Sequence, residues 1–294
     1  MTATQKPAWL KVRLPSHGDF FRVAEILKAG RLHTICQSAR CPNIGECWER
    51  RTATFLILGD ICTRDCGFCA VAKGAPAALD PEEPARVAEA VASLGLAHAV
   101  VTSVTRDDLP DGGAAHFAAV IRAVRAKSPA TRVEALIPDF GGDPAALETV
   151  LAARPDVLNH NLETTESLYP AIRRPRENYP RSLGVLAAAK ARGALTKSGL
   201  MIGLGESEAD ILRTFADLRQ AGCDLLTVGQ YLQPTAAHPP VARYYTPEEF
   251  ETLAAAARRA GFLEVVSGPL VRSSYEAGRL YETVHHKDEG TCAT

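Results

Sequence analysis

The chain has 294 residues, of which 46% are hydrophobic, and its 33 basic residues almost balance its 34 acidic residues. A chain of this length can bury a large core without disulfide bonds, either as one domain or as a barrel with terminal extensions. The balanced charge excludes a global electrostatic field for nucleic acid or an anionic membrane surface. Residues 1–10 lack the apolar core of a signal peptide and no stretch is long enough to span a bilayer, so we expect a cytoplasmic protein with no membrane partner.

A repeat of short apolar runs and amphipathic helices begins at Thr54, after a helix predicted over residues 19–29. Helix starts are indicated by Asp80-Pro81, Asp143-Pro144, Ser207 and Thr246-Pro247. Continuous apolar strands that alternate with one-sided helices predict a parallel sheet covered by helices. The predicted strands are residues 54–59, 98–103, 132–138, 156–161, 195–204 and 225–233.

Six such units are two fewer than a closed TIM barrel needs. The predicted fold class is therefore α/β, a partial open (β/α)6 TIM-like barrel with N-terminal and C-terminal extensions. We expect an N-terminal extension over residues 1–51, the barrel over 52–240, and a C-terminal extension over 241–294 that closes the barrel. In this architecture the chemistry is found at the carboxyl ends of the strands.

Six of the eight cysteines lie between Cys36 and Cys69, in two triplets separated by the first predicted strand. In a reducing compartment, such thiols are free to bind a soft metal. The first triplet has the spacing C-x4-C-x5-C and the second has the spacing C-x3-C-x2-C. The first consists of Cys36, Cys41 and Cys47, and the second of Cys62, Cys66 and Cys69.

The second triplet begins three residues after the first predicted strand, where a barrel enzyme has its active site. Three cysteines from one loop leave one iron of a four-iron cluster open for another ligand. The alternative is structural zinc, which favours paired C-x2-C hooks closed by a fourth ligand, whereas this loop offers one hook. The spacing therefore favours an iron–sulfur cluster with an open coordination position.

C-x3-C-x2-C with an aromatic residue, Phe68, before the last cysteine resembles the signature of radical S-adenosylmethionine (SAM) enzymes. The resemblance implies that the methionyl amino and carboxylate groups of SAM bind the open iron. An electron from the reduced cluster would then cleave SAM to a 5′-deoxyadenosyl radical, which takes hydrogen from an unactivated C–H bond.

The first triplet, with the sequence Cys41-Pro-Asn-Ile-Gly-Glu-Cys47-Trp48, closely resembles the lipoyl synthase family. Further stretches across the chain agree with that family, and no cluster position departs from its pattern. They are residues 60–69, 101–108, 159–163, 196–206, 229–234 and 272–275.

This second resemblance implies insertion of two sulfur atoms, at carbon atoms 6 and 8 of an octanoyl chain on a lysine of a carrier protein. It also implies two [4Fe–4S] clusters, of which the auxiliary one is the sulfur source. The auxiliary cluster would be held by the first triplet and by Ser273 or Ser274, of which we favour Ser274. An electron donor and a cluster-delivery protein are the other implied partners.

Several polar residues at strand ends are candidates for SAM contacts, mostly because of the resemblance. For Asn161 and Glu163 the alternative is a helix cap, since Thr164 and Thr165 follow. The segment from Gly203 to Gly205 indicates either an anion cradle or a tight turn with close backbone approach. The candidate contacts are Phe68, Ser103, Asn161, Glu163, Arg174, Met201 and Gln233.

Two other functions remain open from the sequence. One is another two-cluster radical enzyme, such as a methylthiotransferase or a biotin-synthase-like sulfur inserter, although nothing after Pro234 is long or basic enough for an added RNA-binding domain. The other is a zinc-stabilised binding module without catalysis. The basic cluster from Arg173 to Arg176 indicates either a docking surface for an acidic carrier or a solvated loop, and Cys223 is predicted to be a small buried hydrophobe.

Overall fold

The structure is a computed structural model that describes residues 6–12 and 18–291, with side chains described as far as Val284. Cys292 lies outside the described residues. The chain divides into two compact units. We call residues Lys11–Leu158 the first unit, and Asn159–Thr294 together with Met1–Leu10 the second unit. The domain boundaries proposed at residues 51 and 240 stay a prediction.

The first unit contains the predicted N-terminal helix and the beginning of the strand and helix repeat. Its elements are α1 (Gly18–Ala29), β1 (His33–Thr34), α2 (Ile35–Ser38), α3 (Ile44–Glu49), β2 (Thr54–Ile57), β3 (Ile61–Cys62), β4 (Ala72–Lys73), α4 (Glu83–Leu94), β5 (His98–Ser103), α5 (Ala114–Lys127), β6 (Arg132–Leu136) and α6 (Pro144–Leu151). Strand β7 (Val157–Asn159) follows α6.

The central strands of the first unit are parallel, as the repeat predicts. β2 pairs with β5 and β5 pairs with β6, whereas β1 adds an antiparallel edge to β2. β3 and β4 form a separate two-stranded sheet. Helix α5 is one-sided, as the repeat predicts, because its Phe117, Val120, Ile121 and Val124 side chains are fully buried.

The second unit continues the repeat and contains one strand that the sequence did not predict. Its elements are α7 (Asn178–Ala191), β8 (Thr196–Ile202), α8 (Glu208–Gln220), β9 (Leu225–Gln230), α9 (Pro247–Arg259), β10 (Glu264–Gly268) and α10 (Ala277–Thr291). β8 pairs in parallel with β9, and β10 pairs in parallel with β9 in the predicted C-terminal extension. Only Val265 of β10 is buried, so the strand lacks the continuous apolar pattern that marked the others.

Most of the predicted helix starts are confirmed. Ser207 and Thr246 form capping boxes with Asp210 and Glu249, and each box satisfies two backbone N–H groups. The cap predicted at Asp80 is wrong, because α4 begins only at Glu83. Within the described part of the chain, no helix is long and apolar enough to cross a membrane.

Candidate active site

The second cysteine triplet lies in the loop that joins β3 to β4, which we call the Cys62–Cys69 loop. Cys62 ends β3, and its carbonyl oxygen accepts a hydrogen bond from the N–H of Gly74 at 3.1 Å. The N–H of Cys69 donates to the carbonyl oxygen of Cys66 at 3.2 Å. None of the three cysteines forms a disulfide, and all three are half-buried. The loop therefore presents three separate thiols from one compact turn.

Strand β5 and the segment after it hold this loop in place. Thr63 donates from both its backbone nitrogen (3.1 Å) and its hydroxyl (3.0 Å) to the carbonyl oxygen of Thr105. Arg64 donates two hydrogen bonds of 2.7 Å to the Asp107 carboxylate. In the register of β2 with β5, Ile57 lies opposite Ser103, so the loop and Ser103 share the carboxyl edge of these strands.

Arg106 is a second anchor, which sequence reasoning missed. It is only 2% exposed, and its guanidinium donates to the carbonyl oxygens of Leu58 and Ala77 at 3.0 Å each. Its charge is balanced by Asp108 at 2.9 Å. Arg106 therefore ties the segment before the Cys62–Cys69 loop to the segment after it.

The first triplet spans α2, the turn after it, and α3. Burial raises the pKa of the Cys36 thiol to about 11, and that of the Cys47 thiol to about 12. The charge of the neighbouring Cys41 thiolate raises both pKa values further. A hydrogen bond from the Thr54 backbone lowers the pKa of the Cys36 thiol, but by less than burial raises it. Metal binding at this triplet must therefore displace protons.

The donor set fits a multi-iron cluster better than a single metal ion. The cysteines of the described chain form no disulfide. Among residues 6–12 and 18–291, no three Cys, His, Asp or Glu side chains already converge on one point that would hold an ion. A cubane takes one thiolate per iron, so three cysteines from one loop suit it, whereas a structural zinc site needs a fourth protein ligand.

Two of the predicted SAM contacts, Phe68 and Ser103, lie in the first unit. Ser103 ends β5. Its hydroxyl oxygen is buried and has no hydrogen-bond partner among the described residues. A buried polar atom without a partner is costly. A polar ligand at this edge would remove that cost, so Ser103 fits the predicted cofactor. Phe68 is half-buried in the Cys62–Cys69 loop.

Asn161, Glu163 and Arg174 are brought together in the second unit. Burial raises the pKa of Glu163, whereas the Arg174 charge and a hydrogen bond from Asn161 lower it by less. Glu163 has a left-handed backbone (φ 75°), and its N–H donates to the carbonyl oxygen of Gly199 at 3.1 Å. The N–H of Met201 donates to Glu163 at 2.7 Å. Neither Asn161 nor Glu163 caps a regular α-helix, because only short 3-10 turns follow.

The remaining candidates differ in burial. Arg174 is buried with its guanidinium 5.2 Å from the ring centroid of Tyr169, whereas Arg173 and Arg176 are exposed. Gln233 is exposed, and its side chain donates to the carbonyl oxygen of His238 at 2.7 Å. The assignment of Arg174, Gln233 and the other candidate SAM contacts stays a prediction, as does a docking role for Arg173 and Arg176.

The glycine segment from Gly203 to Gly205 is a tight turn that its own chain fills. The Glu206 carboxylate accepts hydrogen bonds from the N–H groups of Gly203 (2.6 Å) and Leu204 (3.0 Å). Tyr245 also donates to it at 3.0 Å. The N–H groups that would cradle an anion are thus already used. A Cβ at Gly203 would lie 2.0 Å from the Gln230 amide nitrogen, which explains the glycine.

The two candidate serine ligands follow β10 in the second unit and have different surroundings. The Ser273 hydroxyl accepts a hydrogen bond from Asn159 at 3.0 Å and donates one to Asn161 at 2.7 Å. Ser274 is half-buried next to it. The Ser273 oxygen is thus engaged with two amides, whereas Ser274 is the serine that we favour as the metal ligand. That role stays a prediction.

Comparison with known proteins defines the class first. A family model for the radical SAM superfamily matches residues 56–218, which include the Cys62–Cys69 loop. The chain is a radical SAM protein. Its cofactors are therefore SAM and [4Fe–4S] clusters.

Relatives of known function then define the family. Curated lipoyl synthases from Rubrobacter xylanophilus and Thermus thermophilus are 58% and 57% identical to the chain over 274 and 279 residues. These matches cover 92% and 94% of this chain, and 85% and 86% of the relatives. The chain belongs to the lipoyl synthase family.

A solved structure of HydG, a maturase of the [FeFe]-hydrogenase, has a similar fold. It matches with a TM-score of 0.54 at 15% identity, and the match covers 92% of this chain and 68% of HydG. This likeness concerns the fold alone. Together with the superfamily, it confirms the predicted fold class, a partial TIM-like barrel of the α/β type.

Proposed function

We propose that the chain is a sulfurtransferase of lipoate biosynthesis that inserts two sulfur atoms into a protein-bound octanoyl chain, at carbon atoms 6 and 8. The substrate is an octanoyl-lysine on a lipoyl carrier protein or domain. The radical SAM superfamily and the lipoyl synthase relatives support this proposal.

The observation that carries the proposal is the presence within the first unit of two cysteine triplets whose members form no disulfide. Cleavage of SAM requires a single cluster with an open iron. The first triplet, Cys36, Cys41 and Cys47, then needs a purpose of its own, and a cluster that gives up its sulfur supplies one. A methylthiotransferase or a biotin-synthase-like enzyme would also use two clusters, but the relatives at 57% and 58% identity favour lipoyl synthase.

Cys62, Cys66 and Cys69 would hold the cluster that binds SAM, while Cys36, Cys41, Cys47 and Ser274 would hold the auxiliary cluster. When bound, SAM and the cluster at Cys62, Cys66 and Cys69 would supply hydrogen abstraction from unactivated C–H bonds. The auxiliary cluster would be the sulfur substrate. An alkoxide is a harder ligand than a thiolate and suits a cluster iron less well. Ser274 would therefore make one corner of the sacrificed cluster more labile.

The other residues of the chain would bind and orient. The Glu163 carboxylate suits the ribose hydroxyls of SAM as an acceptor, and Asn161 and Arg174 fix its orientation. Ser103 would offer its buried hydroxyl to the cofactor. Arg64 and Arg106 hold the Cys62–Cys69 loop at the strand edge through Asp107, Leu58 and Ala77.

Metal analysis tests the proposal first. The chain, purified and reconstituted without oxygen, should contain about eight iron and eight sulfide, falling to about four of each in a Cys36, Cys41 and Cys47 triple alanine variant. About four iron in the unaltered chain would leave a radical enzyme with another sulfur source. Zinc in place of iron would rule out the radical mechanism and support the zinc-stabilised binding module.

Product analysis separates the radical enzymes from one another. With an octanoylated carrier peptide, SAM and a chemical reductant, mass spectrometry should detect the addition of two sulfur atoms to the octanoyl chain. Products with a methylthio group, or with sulfur only on other acceptors, would refute the lipoyl synthase assignment.

An electron donor and a cluster-delivery protein complete the proposed set of partners, and we propose the cytoplasm as the compartment.

A further inference from the structure

Ser273 connects two parts of the second unit that are far apart in sequence. Its hydrogen bonds run to Asn159 and Asn161, which lie 114 and 112 residues earlier in the chain. Asn159 ends β7 and is fully buried. One serine hydroxyl therefore joins the segment after β10 to the end of β7.

The connection continues beyond Asn161. The Asn161 side chain also forms a hydrogen bond with the Glu163 carboxylate, and the Arg174 charge acts on the same carboxylate. The order of groups is thus Ser273, Asn161, Glu163 and Arg174. The last three are the residues predicted to hold SAM, so the C-terminal segment is coupled through one hydroxyl to the predicted cofactor site.

A second contact fixes the same segment through its backbone. The Val271 carbonyl packs directly against β9 at Gly229, where an added Cβ would lie only 2.1 Å from the carbonyl oxygen. The Val271 N–H donates to Gly268 at 3.1 Å, and the Tyr275 N–H donates to Arg272 at 2.9 Å. Residues 268–275 therefore form two tight turns, Gly268 to Val271 and Arg272 to Tyr275, which are held at two points, the Val271 carbonyl and the Ser273 hydroxyl.

We propose that Ser273 is a positioning residue whose hydroxyl couples the Val271–Tyr275 segment to Asn161 and Glu163. A cofactor held by Glu163 fixes the Asn161 amide, which fixes the Ser273 hydroxyl and with it the adjacent Ser274. Occupancy of the cofactor site therefore orders the segment that presents the proposed serine ligand. The coupling to the cofactor rests on the proposed function, whereas the anchoring by Ser273 does not.

Hydrogen–deuterium exchange of residues 270–276 in the cluster-loaded chain tests the anchoring. Without SAM, Ser273→Ala should exchange about tenfold faster than the unaltered chain, because a half-buried hydroxyl with two partners is lost. Ser273→Thr keeps the hydroxyl and should exchange like the unaltered chain. Ser167→Ala, which deletes an exposed hydroxyl in the same unit, is the matched control. Asn161→Ala removes the same hydrogen bond from the other side and should reproduce Ser273→Ala.

The coupling is tested by adding SAM without a reductant, so that no turnover occurs. SAM should slow exchange of residues 270–276 in the unaltered chain and in Ser273→Thr, but not in Ser273→Ala. Unchanged exchange in Ser273→Ala without SAM, or a normal response to SAM in that variant, would overturn the proposal.

Equilibrium dialysis with labelled SAM separates failure of this inference from failure of the proposed function. If the unaltered chain binds no SAM, the proposed function fails, and the comparison without SAM still decides the anchoring role. If SAM binds but residues 270–276 do not respond to it, the coupling is refuted and the proposed function stands.

Discussion

Arg64 forms an ion pair with Asp139, with 2.7 Å between a guanidinium nitrogen and a carboxylate oxygen, and the Asp139 side chain is fully buried. The same guanidinium also forms an ion pair with the half-exposed Asp107. Burial opposes the charge, but the hydrogen bonds to Asp107 and Asp139 prevail and raise the pKa of Arg64. Because Arg64 lies between Cys62 and Cys66, this double pairing fixes the loop that carries both thiols.

Removal of the Arg64 guanidinium should therefore destabilise the first unit. Arg64→Ala leaves the buried Asp139 carboxylate without its cation, and the loss of one partner of a buried pair typically costs about 3 kcal/mol. Urea unfolding of the cluster-free chain measures this loss. Asp107→Asn is the control. The Asp107 side chain is 46% exposed, so loss of its charge should cost no more than about 1 kcal/mol. Equal losses in the two variants would contradict the special role of Asp139.

The sequence predicted those features whose signal is local. The strands of the repeat are recognised by continuous apolar runs, as in residues 98–103, where prediction and structure agree. The two triplets are recognised by spacing alone. By contrast, β10 was missed because its side chains are mostly half-exposed. A short strand with one buried residue has no repeating pattern of apolar residues that distinguishes it from a loop.

The anchoring residues could not be predicted because their partners are distant backbone atoms. Arg106 reaches Leu58, 48 residues earlier, and nothing in its neighbourhood in the sequence marks that acceptor. Glu206 differs, because its partners Gly203 and Leu204 are local. Here the sequence did carry a signal for a turn without an anion, namely a carboxylate three residues after the glycine. The Ser273 pairing with Asn161 spans 112 residues and is visible only in the fold.

The two triplets should fail separately when single cysteines are replaced. Cys66→Ala removes a ligand of the cluster that binds SAM, so cofactor cleavage should be lost together with sulfur insertion. Cys41→Ala should leave cleavage measurable but stop sulfur insertion, because only the sulfur source is affected. Chromatography of the nucleoside product and mass spectrometry of the octanoyl peptide measure the two activities.

The buried Cys223 provides the control for this pair of variants. It lies in the second unit, outside both triplets, and Cys223→Ala should retain both activities. Loss of cleavage in Cys41→Ala, with four iron still bound, would contradict the division of roles between the triplets.

Glu163→Gln should stabilise the cofactor-free chain while it weakens SAM binding. Burial raises the pKa of Glu163 above its ordinary value of 4.5, so the fold disfavours the ionised carboxylate. This cost is absent below pH 4.5, where the folded and unfolded chains are both protonated, and it is complete once the pH exceeds the raised pKa. The free energy of unfolding of Glu163→Gln should therefore exceed that of the unaltered chain at neutral pH, and the difference should vanish below pH 4.5.

Whereas Glu163→Gln should raise stability, it should lower the affinity for SAM. Loss of a charged acceptor for ribose hydroxyls should weaken SAM binding by about tenfold to a hundredfold in equilibrium dialysis. Glu166→Gln, at an exposed position three residues later, should change neither property. A Glu163→Gln chain that is less stable at neutral pH would show that Arg174 and Asn161 outweigh the cost of burial.

Gly229→Ala should displace the Val271–Tyr275 segment, because the new methyl group would lie 2.1 Å from the Val271 carbonyl oxygen. A backbone atom cannot move aside by a side-chain rotation, so β9 and the segment must separate, at a cost of about 1–3 kcal/mol. Gly184→Ala is the matched control: it lies in α7 with no atom within 4 Å of the added Cβ, and should stabilise the chain by about 0.5–1 kcal/mol. Urea unfolding measures both changes, and iron analysis should show that Gly229→Ala loses auxiliary-cluster iron while Gly184→Ala retains it. If Gly229→Ala kept full stability and iron, the close approach of Val271 to β9 would have no part in presenting Ser274.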